Sequence, residues 1–114
     1  MKIVINCPQK KALEIFSLGT LNDFNKTFDK FSSMKGSLEV KIFIVNELIS
    51  SHQLSKFKNN FDKINIHSLC IYSNNRETIL AGKSLKIDST FAKEHEIKNE
   101  LELLSAQKRD DILH

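Results

Sequence analysis

The stretch Leu38-Glu39-Val40-Lys41-Ile42-Phe43-Ile44-Val45 constrains this chain more than any other. Apolar residues recur at 38, 40, 42 and 44, the two-residue period of a strand, and Phe43 and Val45 then fill the alternate positions. A strand that is apolar on both sides needs cover on both sides, and helices are the usual cover of such a strand. Ile3, Val4 and Ile5 make a second buried strand over residues 2–6, and residues 64–73 make a third. The fold class expected is therefore α/β, a three-layer arrangement with a mixed sheet of about four strands and helices on both faces.

The punctuation of the chain places the rest. Pro8 suits the first position of a helix, which Ala12, Leu13, Ile15 and Phe16 continue. After Gly19, Thr20 and Asp23 resemble a capping pair, and Leu21, Phe24, Phe28 and Phe31 carry a second helix, or the kinked continuation of the first, to about Met34, closed by Gly36. Leu54, Phe57 and Phe61 form the stripe of a helix over residues 51–61. Asn74-Asn75 reads as a turn joining the third strand to residues 77–81 as a hairpin, with Leu85 and Ile87 extending its edge. Residues 90–114 read as one amphipathic helix, capped by Ser89 or Thr90, with Phe91, Ile97, Leu101 and Leu104 as its stripe and Glu94–Lys98 as an i, i+4 pair. That stripe either covers the chain's own sheet or pairs with a second copy in a homodimer. One α/β domain over residues 1–114 accommodates all of these elements.

Charge and composition narrow the function classes. The 114 residues carry 17 Lys+Arg against 14 Asp+Glu, a formal net charge of +3. Only Arg76 and Arg109 among those cations are arginine, whereas planar recognition of phosphate or guanine favours the guanidinium fork. Nucleic acid is thus the weaker partner class, and an accessory nucleic-acid binder would use Lys10, Lys26, Lys30, Lys56 and Lys58. No apolar run reaches the length of a membrane span and the N-terminus lacks a secretory core, so a cytoplasmic protein with no membrane partner is expected.

The order β-α-β-α-β-β-α, with Cys7-Pro8-Gln9-Lys10 just after the first strand, resembles the thioredoxin/glutaredoxin superfamily. Ser68-Leu69-Cys70-Ile71-Tyr72-Ser73-Asn74-Asn75-Arg76-Glu77-Thr78-Ile79 resembles its strand–turn–strand segment. The resemblance implies a thioredoxin-like sheet whose last strand is antiparallel to its neighbour, and a thiol at Cys7. Lys10 stands where the second motif cysteine would be, and Pro8 is the only proline, so no cis-proline precedes the third strand. Dithiol exchange within the motif is excluded, which leaves a single-cysteine redox or thiol-transfer role for Cys7.

At a helix N-terminus, with Lys10 and Lys11 beside it, the Cys7 thiolate would be stabilised. Cys70, among Leu69, Ile71 and Tyr72, reads as core. His52, His67, His95 and His114 show no metal-ligand spacing, so no metal is expected. Neither a Walker loop nor a Gly-x-Ser-x-Gly turn occurs, and no cofactor is implied. With no nucleophile, base and oxyanion donor to assemble, the residues point to a small non-catalytic protein-binding module, a regulator or inhibitor of another protein. Its contact residues would be Lys93, Glu94, Lys98, Glu100, Lys108 and Arg109 on the C-terminal helix.

Overall fold

In a computed structural model that describes residues 1–8, 12–17, 37–63 and 66–113, with Ala12 and 108–113 as backbone only, the described residues form five strands and three helices. The elements are β1 (Lys2–Cys7), β2 (Ala12–Ser17), β3 (Leu38–Ile44), α1 (Ser51–Phe61), β4 (Ile66–Ser73), α2 (Arg76–Ser84), β5 (Asp88–Phe91) and α3 (Glu94–Leu113). They build one mixed sheet of order β2-β1-β3-β4-β5. β1 is antiparallel to β2 and β3, while β3, β4 and β5 run parallel, joined by the crossover helices α1 and α2.

Strand periodicity divides the core between the two faces. Ile3, Ile5, Leu38, Val40, Ile42, Ile44 and Ile71 point to one side, where Leu54, Phe57 and Phe61 of α1 and Ile79 of α2 close over them. Val4, Leu13 and Phe43 point to the other, where Ile97 of α3 meets them with Leu101 and Leu104. The α/β class and the helices on both faces are as the two-faced strand requires. α1 keeps its expected limits because Ser50 and Gln53 form a reciprocal capping box at its start.

Three expectations are overturned. The helix from Pro8 through Phe16 is not formed, since residues 12–17 are strand β2. Leu13 and Ile15 share a face with Val4 while Phe16 packs on the opposite core, so the period here is two. Residues 77–81 belong to α2 and not to a hairpin: the Asn75 side chain caps that helix by accepting the Thr78 N–H at 3.0 Å. Thr90 and Phe91 lie in β5, and α3 begins only at Glu94. β5 is therefore parallel to β4 and reached through a helix, which contradicts the thioredoxin-like order and its antiparallel last strand. The second expected helix, from Thr20 to Gly36, lies outside the described residues.

α2 packs on β5 through Gly82, where a Cβ would collide with Ser89 Oγ and lie 3.2 Å from Ser89 Cβ and 3.3 Å from Ile71 Cδ1. Gly82→Ala gains about 1 kcal/mol of helix propensity but is set against an overpacking cost of about 1–3 kcal/mol, because Ser89 must rotate and lose its bond to Ile87 O. Urea denaturation is expected to show a destabilised single variant and recovery of stability in Gly82→Ala/Ser89→Ala. A double variant as unstable as the single one would show that the close approach is not the cause.

Candidate interaction surface

Cys7 ends β1 and is fully buried in the core beneath α1 and α2. Pro8 begins a 3-10 turn, residues 9–11 lie outside the described residues, and the chain returns as β2; among the described residues no α-helix begins beside this thiol. Lys10 and Lys11 lie outside the described residues. Cys70 is half-buried on the α3 side of β4, not in the core. Burial pushes its thiol pKa up, the Asp88 carboxylate adds to the rise and Lys41 opposes it. Both thiols of the folded protein are expected to react with iodoacetamide at mild alkaline pH more slowly than an ordinary cysteine, Cys7 because it is inaccessible and Cys70 because less of it is thiolate. A fast-reacting native thiol would contradict this.

Other candidates are scattered. His52, His67 and His95 are exposed on three separate elements or their connections, and His114 lies outside the described residues. Among the described residues no group of three His, Cys, Asp or Glu side chains is placed to hold a metal ion. Of the lysines expected to contact nucleic acid, Lys56 and Lys58 stand on α1, and Lys10, Lys26 and Lys30 fall outside the description. Lys58 and Lys86 line a cavity of about 460 Å³ together with Asp62 and Asp88, so opposite charges alternate there instead of forming a cationic track. No described helix is long and apolar enough to cross a membrane.

The α3 charges mostly serve the helix itself. Lys98 Nζ lies 3.2 Å from Glu94 Oε1, Glu96 Oε1 accepts the Lys93 N–H at 3.1 Å, and Glu100 faces Lys41 Nζ of β3 at 3.9 Å. The side chains of Lys108 and Arg109 lie outside the description. Within the stripe of α3, Ile97 packs on the sheet and is only 1% exposed, while Leu101 and Leu104 beside it are half-buried.

At the carboxyl ends of β3 and β4 polar groups satisfy one another. Asn74 Nδ2 donates to Asn46 Oδ1 at 2.8 Å and the Asn46 N–H donates back to Asn74 Oδ1 at 2.9 Å, which holds Asn46 at φ 57°. The buried Thr78 hydroxyl accepts from the Ile49 N–H and donates to Glu47 O. These bonds pin the β3–α1 connection to α2.

The surface features that sequence reading missed lie around β5. Leu80 and Phe91 are strongly exposed, and the Arg76 guanidinium carbon stands 5.7 Å from the centre of the Phe91 ring. Assigning 77–81 to a strand and Phe91 to a helix stripe separated residues that the fold brings together. The available signal was Asn75 followed by Glu77, an N-cap and a first-turn acid.

No family model matches the chain. Over all 114 of its residues it is 37% identical to the probable septum site-determining protein MinC of Prochlorococcus marinus subsp. pastoris, and it spans 52%, about half, of that protein's length. Similarity along the whole chain to a septum site-determining protein overturns the thioredoxin/glutaredoxin resemblance, which rested on Cys7-Pro8 and an element order that the sheet does not have.

Proposed function

We propose that this chain is a non-catalytic, protein-binding regulator that takes part in choosing where a dividing cell places its septum. The observation that carries the reading is its 37% identity, from end to end, with a septum site-determining protein. The geometry is compatible with such a role: Cys7 is sealed in the core, and the polar groups at the strand ends are engaged with one another. The partner is another protein in the cytoplasm, met by the outward side of α3 and the residue before it, where Lys98 and Lys93 are exposed, or by the edge of the sheet around β5.

Deleting the coding segment for this chain in its native host and imaging septum positions tests the reading. Septa displaced from their normal site are the expected result, restored by the wild-type segment. Normal septum placement in the deletion strain would overturn it.

A further inference from the structure

We propose that the outer edge of β5, with the adjoining side of α2, is the docking surface for an extended acidic–apolar segment of a partner protein. The inference deepens the reading above and rests on it in one respect, that the chain works by binding a protein. Three independent features converge on this edge.

First, β5 is a terminal strand of the sheet. The Ala92 N–H donates inward to Ser73 O at 3.0 Å, so by the alternation of a strand the N–H groups of Phe91 and Ser89 point away from β4. They take no sheet partner among the described residues. Such a row is a template for an added strand. Second, two of the four exposed large apolar side chains among the described residues flank the row, Leu80 at 66% and Phe91 at 45% exposure. Third, helical spacing puts Arg76, Leu80 and Lys83 on one side of α2, and the seat of Arg76 over Phe91 fixes that side as the one beside β5. Neither cation takes an ion pair among the described residues. A guanidinium held over an aromatic ring, beside a bare leucine, is the kind of anchor that dominates protein interfaces.

Charge decides the occupant. Arg76 and Lys83 favour a partner with carboxylates at alternate positions, and the exposed Leu80 and Phe91 favour apolar residues between them. Pairing of β5 with β5 of a second copy would crowd Arg76 and Lys83 against their own counterparts, a repulsion that an acidic segment turns into attraction.

The test uses the whole chain and an end-blocked peptide alternating aspartate with valine, with lysine replacing aspartate in the control peptide. Amide hydrogen exchange and backbone NMR shifts are read at Ser89 and Phe91. The expected result is protection of both amides by the acidic peptide and not by the basic one, with binding weakened roughly tenfold to thirtyfold in Arg76→Glu and in Leu80→Ser. Both side chains are exposed, so unchanged thermal midpoints are expected to show that the variants remain folded. Equal binding of the two peptides, shifts confined to another face, protection that grows with protein concentration in the absence of peptide, or protection by anionic phospholipid vesicles alone would each overturn the proposal. A failed peptide test combined with displaced septa in the deletion strain rejects this surface and leaves the septum role standing; normal septa reject that role whatever the peptide does.

Discussion

Replacing Ile97 by alanine will lower the stability of the folded chain by about 2–5 kcal/mol, because the side chain is buried at the centre of the smaller of the two cores. Val4, Leu13 and Phe43 lose their cover from α3, and the groove of about 290 Å³ already bordered by Phe43, Tyr72, Ala92 and Ile97 widens. Tyr72 is the only tyrosine, no tryptophan is present, and its ring is stacked on Phe43 with centroids 5.2 Å apart. Intrinsic tyrosine fluorescence therefore reports this face directly. The same experiment decides between the two uses left open for the helix stripe. If α3 covers its own sheet, the urea midpoint of the wild type is independent of protein concentration and the variant shifts it at every concentration. A midpoint that rises with concentration, or a loss below about 1 kcal/mol in the variant, would mean that the stripe is completed by another chain.

How far the sequence could be read depended on whether a pattern had one physical solution or two. β1 and β3 were legible because consecutive β-branched and apolar residues at Ile3-Val4-Ile5 and Ile42-Phe43-Ile44 have no amphipathic helical solution of that length. α1 was legible because Leu54, Phe57 and Phe61 repeat at three and four, with polar residues between them. By contrast, Leu13, Ile15 and Phe16 satisfy a helical stripe and a strand alternation equally well over six residues. The choice was made by pairing with β1, a long-range fact. Asn75 was ambiguous for a chemical reason: a short side chain that bonds the backbone two or three residues ahead serves a turn and a helix N-cap alike. That misassignment, together with the placing of Phe91 on a helix stripe, hid the candidate surface. Arg76, Leu80 and Phe91 come together only when 76–84 is a helix and 88–91 the strand beside it, and the sequence distance from Leu80 to Phe91 reveals nothing of that. For Cys7 the local motif was visible, but its burial is set by strands and helices distant in sequence.

Phe61→Ala will be strongly destabilising, yet less so than Phe57→Ala, although both rings belong to α1 and are almost wholly buried, at 1% and 2% exposure. Loss of a buried phenylalanine costs about 3–5 kcal/mol, a transfer part for the removed atoms and a cavity part for the space left behind. Phe61 forms a wall of the cavity shared by Lys58, Asp62, His67, Lys86 and Asp88, while Phe57 does not line it. Removing the Phe61 ring opens a space continuous with polar groups and water, so solvent fills part of it and the cavity contribution shrinks. Phe57 packs in the apolar cluster with Leu54 and Ile42 and does not border that polar space, so a void there stays dry and its lining loses dispersion contacts outright. The expected losses are about 3 kcal/mol for Phe61 and about 5 kcal/mol for Phe57 in urea unfolding. Because a single domain's total stability is only about 5–15 kcal/mol, the Phe57 variant approaches the limit of folding at physiological temperature. Equal losses would mean that water does not reach the Phe61 site, and the reverse order would show that the polar cavity is closed in solution.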